Sequence, residues 1–174
     1  MAGAVLRATE PALAAIKLAW WREQLEALDG APPPAEPRLQ AAAAELLPRG
    51  IAGRELAGLE AGWVTLLDER PDIALVEARG EALFAMAARL LGASHDGIRA
   101  AGRLYAVMDV TRRGFVDLSA RADPRPLPRF PRQLRPLTAL ASLARRDLAR
   151  GTTEREATPG RSWLLMRHRI TGRT

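Results

Sequence analysis

The sequence predicts an all-α protein, and three observations carry that prediction. Apolar side chains recur at alternating spacings of three and four, no run alternates with the period of two that a half-buried strand requires, and proline and glycine punctuate the chain at intervals of helical length. A chain of 174 residues is long enough for one sizeable core, so a single helical domain over 1–174 is expected, a bundle of about six or seven helices without internal repeats.

Each element has its own signal. Thr9, Glu10 and Pro11 read as a helix start, and Ala14, Leu18, Trp21, Leu25 and Leu28 then form one face, closed by Asp29-Gly30. Residues 30–37 carry four prolines and predict a stiff connection. An alanine-rich helix follows over 38–48, and Leu56, Leu59, Trp63, Leu66 and Leu67 mark another beyond Gly53. Pro71 opens a helix whose inward face is expected to be Val76, Gly80, Leu83, Ala87 and Leu90, with Gly92 ending it. Ser94 is placed to cap the next helix, striped by Ile98, Ala101, Tyr105, Met108 and Val110. Residues 115–136, rich in proline and arginine, predict a surface loop. After it, Leu137, Leu140, Ala144 and Leu148 should face inward and Arg145, Arg146 and Arg150 outward, up to Gly151. Residues 151–174 read as a basic tail with a short helix that starts at Thr158-Pro159 and stops at Gly172.

Composition removes several classes of function. The chain has no cysteine, which excludes disulfide scaffolds, cysteine-bound zinc, iron–sulfur clusters and thiol catalysis. Charged residues interrupt every apolar stretch well short of a membrane span, and no leader opens the chain, so a cytoplasmic protein is expected, with peripheral membrane contact as an option. Net charge is −5 over residues 1–87 and +11 over 88–174. Lys17 is the sole lysine. The guanidinium-rich second half suits phosphate, carboxylate or an anionic lipid surface, but it lacks the interleaved aromatics and motifs of nucleic-acid binders, so nucleic acid is not an expected partner.

Few residues carry recognisable chemistry. His95 and His168 have no histidine at i+3 or i+4 and read as surface or capping residues. Ser94-His95-Asp96 cannot stack as a triad, because three consecutive residues do not line up in space. Asp68 and Asp72 form the one DxxxD spacing, yet Pro71 lies between them, so they read as a helix end and a helix start rather than as a metal site. Glu77 and Glu81 read as solvated charge. Gly80, inside a helix, implies close approach to its backbone, by a neighbouring helix in preference to a ligand. Asp109 stands beside the inward stripe close to Arg112 and Arg113, as a buried ion pair or the remnant of a site.

In order along the chain, "EPALAAIKLAWWREQLEALDG", the proline linker, "GLEAGWVTLLDER", "EARGEALFAMAARLLG" and "AAGRLYAVMDVTRRG" resemble the squalene/phytoene synthase family of head-to-head prenyl transferases. The Leu18-Ala19-Trp20-Trp21-Arg22 segment is the most specific match, and the similarity spans residues 8–118. The resemblance implies an all-α isoprenoid-synthase fold, shortened at its N-terminus, whose active members bind two prenyl diphosphates through magnesium held by two aspartate-rich motifs. This chain begins after the place of the first motif. In the second, Asp109 matches one aspartate, but the position four residues later is Arg113.

Without two carboxylate clusters the ionisation of a diphosphate lacks its electrostatic support. The resemblance therefore implies a non-catalytic prenyl-lipid-binding or assembly-factor-like protein. Two alternatives stand beside it: an active transferase whose missing aspartates come from a longer native form or a partner subunit, and a helical interaction module that docks on an acidic protein or an anionic surface. Trp20, Trp21, Gly80, Tyr105 and Asp109 are the expected lining of any substrate cavity, with Arg112 and Arg113 near a phosphate. No catalytic or metal-ligating residue is expected, and magnesium enters only if a diphosphate site survives.

Overall fold

The computed structural model describes Met1, Gly3 and residues 10–173, and all regular structure among them is helical. The helices from residue 10 onward are α1 (Pro11–Ala27), α2 (Pro37–Glu45), α3 (Gly53–Ala57), α4 (Ala61–Val64), α5 (Ile73–Leu90), α6 (Ile98–Arg112), α7 (Arg135–Arg150) and α8 (Pro159–Thr171). The chain divides into two compact units, Met1–Leu75 and Val76–Thr174.

In the first unit Pro11 and Pro37 occupy the first turns of α1 and α2, where a missing N–H costs nothing. Thr9, part of the expected start of α1, lies outside the described residues. Leu25, Leu28, Leu39 and Ala57 form the core of this unit, with Trp21 packed on its edge. The single helix expected beyond Gly53 is instead two short ones, α3 and α4, followed by a 3₁₀ turn at Thr65–Leu67. Gly53, Ala57, Glu60, Gly62 and Thr65 are the buried residues of this stretch, while Leu56, Leu59, Trp63, Leu66 and Leu67 are half-buried. Asp29 does not merely follow α1. Its carboxylate accepts from the backbone N–H of Gly53 at 2.5 Å and of Arg54 at 3.1 Å and so caps α3. Gly53 has room for no side chain, because a Cβ there would overlap the Leu25 carbonyl. Asp68 follows the 3₁₀ turn, and Asp72 accepts from the Ala74 N–H at 2.8 Å at the head of α5, so the two aspartates end one element and begin the next.

The second unit packs Phe84 and Ala88 of α5, Ile98 and Ala101 of α6 and Ala141 of α7 around Phe130 and Leu134. Two expected faces are rotated. On α5 the buried set is Val76, Arg79, Gly80, Phe84, Met86 and Ala88, and Leu83 is exposed. On α7 it is Thr138, Ala141, Ser142, Ala144 and Asp147, and Leu140 faces solvent. The cap of α6 is not Ser94: Nδ1 of His95 accepts from the Gly97 N–H at 3.0 Å. Residues 115–136 are not simply a surface loop, since Phe130 and Leu134 within them are 1% and 0% exposed. His168 is likewise no surface residue. Its ring is fully buried, with Nε2 2.9 Å from the Thr138 hydroxyl and Nδ1 3.0 Å from that of Ser142. Thr158 caps α8 as expected, and Gly151 and Gly172 end α7 and α8 with left-handed φ of 62° and 70°.

Candidate functional site

Four of the seven expected site residues meet in one place. Tyr105, Asp109, Arg112 and Arg113 recur at helical spacing on the last two turns of α6 and line a cavity of about 200 Å³ in the second unit. Leu140, Leu143, Ala144 and Asp147 of α7 form the opposite wall, and Glu156 and Arg161 close it.

The electrostatics of the cavity are those of matched pairs. Nε of Arg113 donates to both carboxylate oxygens of Asp109 at 2.8 Å, and this bond, more than the charge itself, raises the Arg113 pKa above its ordinary value. Asp147, almost fully buried, accepts from Arg161 Nη1 at 2.7 Å on one oxygen and from Arg112 Nη1 at 3.1 Å on the other. Arg112 also donates to the Glu154 carbonyl at 2.9 Å and to Glu156 at 3.4 Å. Burying a charge is costly unless it is paired and hydrogen-bonded, and here each buried carboxylate meets a guanidinium.

Two further groups respond to Asp109. Burial pulls the Arg79 guanidinium of α5 down to about 10, against the charge of Asp109, and its Nη2 lies 3.4 Å from the Ala106 carbonyl. Burial raises the Tyr105 phenol, the Asp109 carboxylate adds to that rise, and Arg113 and Arg79 oppose it. Asp147, Glu156 and Arg161 line the cavity and Arg79 interacts with Asp109 by charge, and none of the four was among the expected residues. Arg79 had one sequence signal: it lies three residues after Val76 and beside Gly80, in the inward register of α5.

The other three expected residues lie elsewhere. Trp20 and Trp21 belong to the first unit, edge to face with ring centroids 5.2 Å apart. Trp21 is half-buried on the leucine core with the Arg38 guanidinium 6.0 Å from its ring centroid, while Trp20 is 41% exposed. Gly80 is covered by α6, where Gly102 fills the space a side chain would occupy. Glu81, expected to be solvated, instead pairs with Arg103 at 2.5 Å and Arg99 at 3.5 Å.

Chemically, the cavity sets three guanidiniums and a phenol among three carboxylates, with apolar Met108, Leu140 and Leu143 beside them. Asp109 has both oxygens engaged by Arg113, and no cluster of three or more metal-ligating side chains occurs among the described residues. Among those residues no helix is long and apolar enough to cross a membrane. No family model matches the chain, and no curated protein or solved structure matches it significantly.

Proposed function

We propose that this chain is a squalene/phytoene synthase-like helical protein that holds the polar head of a prenyl lipid without ionising a diphosphate, as a binding or assembly-factor-like protein rather than a transferase. The ordered sequence resemblance over residues 8–118 and the helical architecture support this reading. One observation carries the non-catalytic part: the position four residues after Asp109 holds Arg113, whose guanidinium occupies both oxygens of the carboxylate. A divalent cation on this carboxylate would stand beside that guanidinium, whose like charge opposes it. Where the family places a second carboxylate, this chain supplies the counter-ion of the first. Arg112, Arg113 and Tyr105 would then hold a phosphate or hydroxyl head directly. A cavity of about 200 Å³ is smaller than the ~300–1,000 Å³ typical of pockets that enclose a whole small ligand, so it suits a head group and not the isoprenoid chain behind it.

Isothermal titration of the folded chain with a non-hydrolysable geranylgeranyl diphosphate analogue tests the reading. The expected result is binding of equal strength in magnesium and in EDTA, weakened by Arg112→Ala. Binding that requires magnesium and is abolished by Asp109→Ala would support an active transferase completed by a longer form or a partner subunit. Absence of heat in both buffers would remove the prenyl ligand.

A further inference from the structure

The last helix has a face that the fold leaves uncovered. Arg161, Leu164 and His168 of α8 point inward, at spacings of three and four. With successive side chains ~100° apart around the axis, Trp163, Met166 and Ile170 fall within a sector of about 60° on the opposite side. They are 63%, 49% and 70% exposed. Isolated exposed apolar residues are ordinary, but three in line on one helix form a patch.

The charge around this stripe is of one sign. Arg167 flanks it on one side and Arg169 on the other, and residues 157–174 include no Asp or Glu. Elsewhere in the second unit several arginines are committed to carboxylates, as Arg113 is to Asp109, Arg146 to Glu154 and Arg161 to Asp147. Beside the stripe runs a groove of about 790 Å³ between the start of α7 and the end of α8, walled by Pro136, Ala139, Leu165 and Ile170 and edged by Arg132 and Arg169. Arg135 in the same wall donates to the Arg169 and Ile170 carbonyls at 2.9 and 2.8 Å and fixes the end of α8 against α7.

We propose that this face of α8 docks the protein on an anionic lipid surface. Trp163, Met166 and Ile170 would enter the interfacial layer, the flanking arginines would meet lipid phosphates, and the groove would take part of an acyl chain. An indole at the end of such a stripe suits the headgroup level, and arginine can bury its stem while its guanidinium reaches the phosphates. An acidic protein would match the arginines equally well. The outward projection of three large apolar groups, with no polar side chain among them, favours the lipid surface. This docking is independent of the prenyl-binding reading, because the vesicles that test it contain no isoprenoid.

Flotation of the full chain with vesicles of phosphatidylcholine alone, or of phosphatidylcholine and phosphatidylglycerol in equal parts, decides the matter. The expected result is flotation with the anionic vesicles only, reversed by raised salt. The triple variant Trp163→Ser/Met166→Ser/Ile170→Ser, checked for helicity by circular dichroism, should partition at least ~10-fold less. Arg167→Gln/Arg169→Gln should partition about 5-fold less per charge removed, and this pair decides if the triple variant fails to fold. Equal flotation with neutral and anionic vesicles, no flotation with either, or undiminished flotation of folded variants would overturn the proposal.

Discussion

Gly80 of α5 and Gly102 of α6 meet backbone to backbone: a Cβ built on either glycine would stand 2.7 Å from the carbonyl carbon of the other. Real Cβ contacts do not come within 3.0 Å, and the obstacle on each side is main chain, which cannot rotate away. Gly80→Ala and Gly102→Ala should therefore each destabilise the second unit by about 2 kcal/mol, the overpacking cost outweighing the helix propensity gained. Urea unfolding followed by circular dichroism measures this. Gly30→Ala, where nothing lies within 4 Å, is the control and should change stability by less than ~0.5 kcal/mol. Equal midpoints for Gly80→Ala and Gly30→Ala would show that the helices separate at no cost.

Helix boundaries were legible in the sequence because they are local events. Pro11 and Pro159 start helices, and Gly92, Gly151 and Gly172 adopt the left-handed backbone that ends them, whereas Pro37, read as the end of the linker, is the first residue of α2. The inward face of α7 was not legible, since periodicity assumes that leucine faces in. Here Thr138, Ser142 and Asp147 are buried, satisfied by His168, Arg112 and Arg161, all far away in the sequence. The site divides in the same way. Tyr105, Asp109, Arg112 and Arg113 share one helix and could be read together, whereas Arg79, Asp147 and Arg161 join them only through tertiary structure.

Asp147 should be the most sensitive carboxylate. It holds two guanidiniums, and Arg161 is itself buried. Asp147→Asn leaves buried positive charge uncompensated and should cost about 3 kcal/mol in urea unfolding. Arg150→Ala, which breaks a half-exposed bond to Glu154, should cost less than ~1 kcal/mol. A smaller loss for the first than for the second would mean that water reaches the Arg112–Asp147–Arg161 cluster freely.

The segment before α7 should behave as part of the core. Phe130 is buried against Phe84 and Leu134, its N–H donates to the Gly172 carbonyl at 3.0 Å, and Arg129 Nε donates to the Thr171 carbonyl at 2.7 Å. Phe130→Ala should cost about 3 kcal/mol by cavity formation. Brief trypsin digestion of the parent protein should spare Arg129 while cutting at Arg121, which is exposed and followed by alanine. Early cleavage at Arg129 would contradict the anchoring.

Asp29 gives the first unit an acid limit. Bonds from the backbone N–H groups of Arg54 and Gly53 hold its pKa below the ordinary 3.8. A depressed folded pKa means that the unfolded chain binds the proton more tightly, so stability falls as pH falls. The contribution is complete above 3.8 and is lost as the pH drops through the lower folded value. Melting temperatures of the parent and Asp29→Ala should differ near neutrality and converge on acidification across that window. A difference independent of pH would assign the cap to geometry and not to charge.

Tyr105 reports on the candidate site directly, because it is the one tyrosine in the chain and its ultraviolet titration has a single origin. Burial and then the Asp109 carboxylate raise the phenol above 10.0, and Arg113 and Arg79 pull the other way. Asp109→Asn removes a raising charge and leaves both guanidiniums, so the midpoint should fall. Arg113→Ala removes a lowering charge, so it should rise, and urea should return both variants to about 10. With its folded pKa raised, Tyr105 contributes stability that is complete below 10.0 and is lost as pH climbs through the folded value. A ligand with a phosphate head held by Arg112 and Arg113 would bring negative charge to the phenol and move its midpoint up, which makes this titration a binding assay as well. If both variants shifted the midpoint in the same direction, Asp109 and Arg113 would not act on Tyr105 as an ion pair beside it on α6.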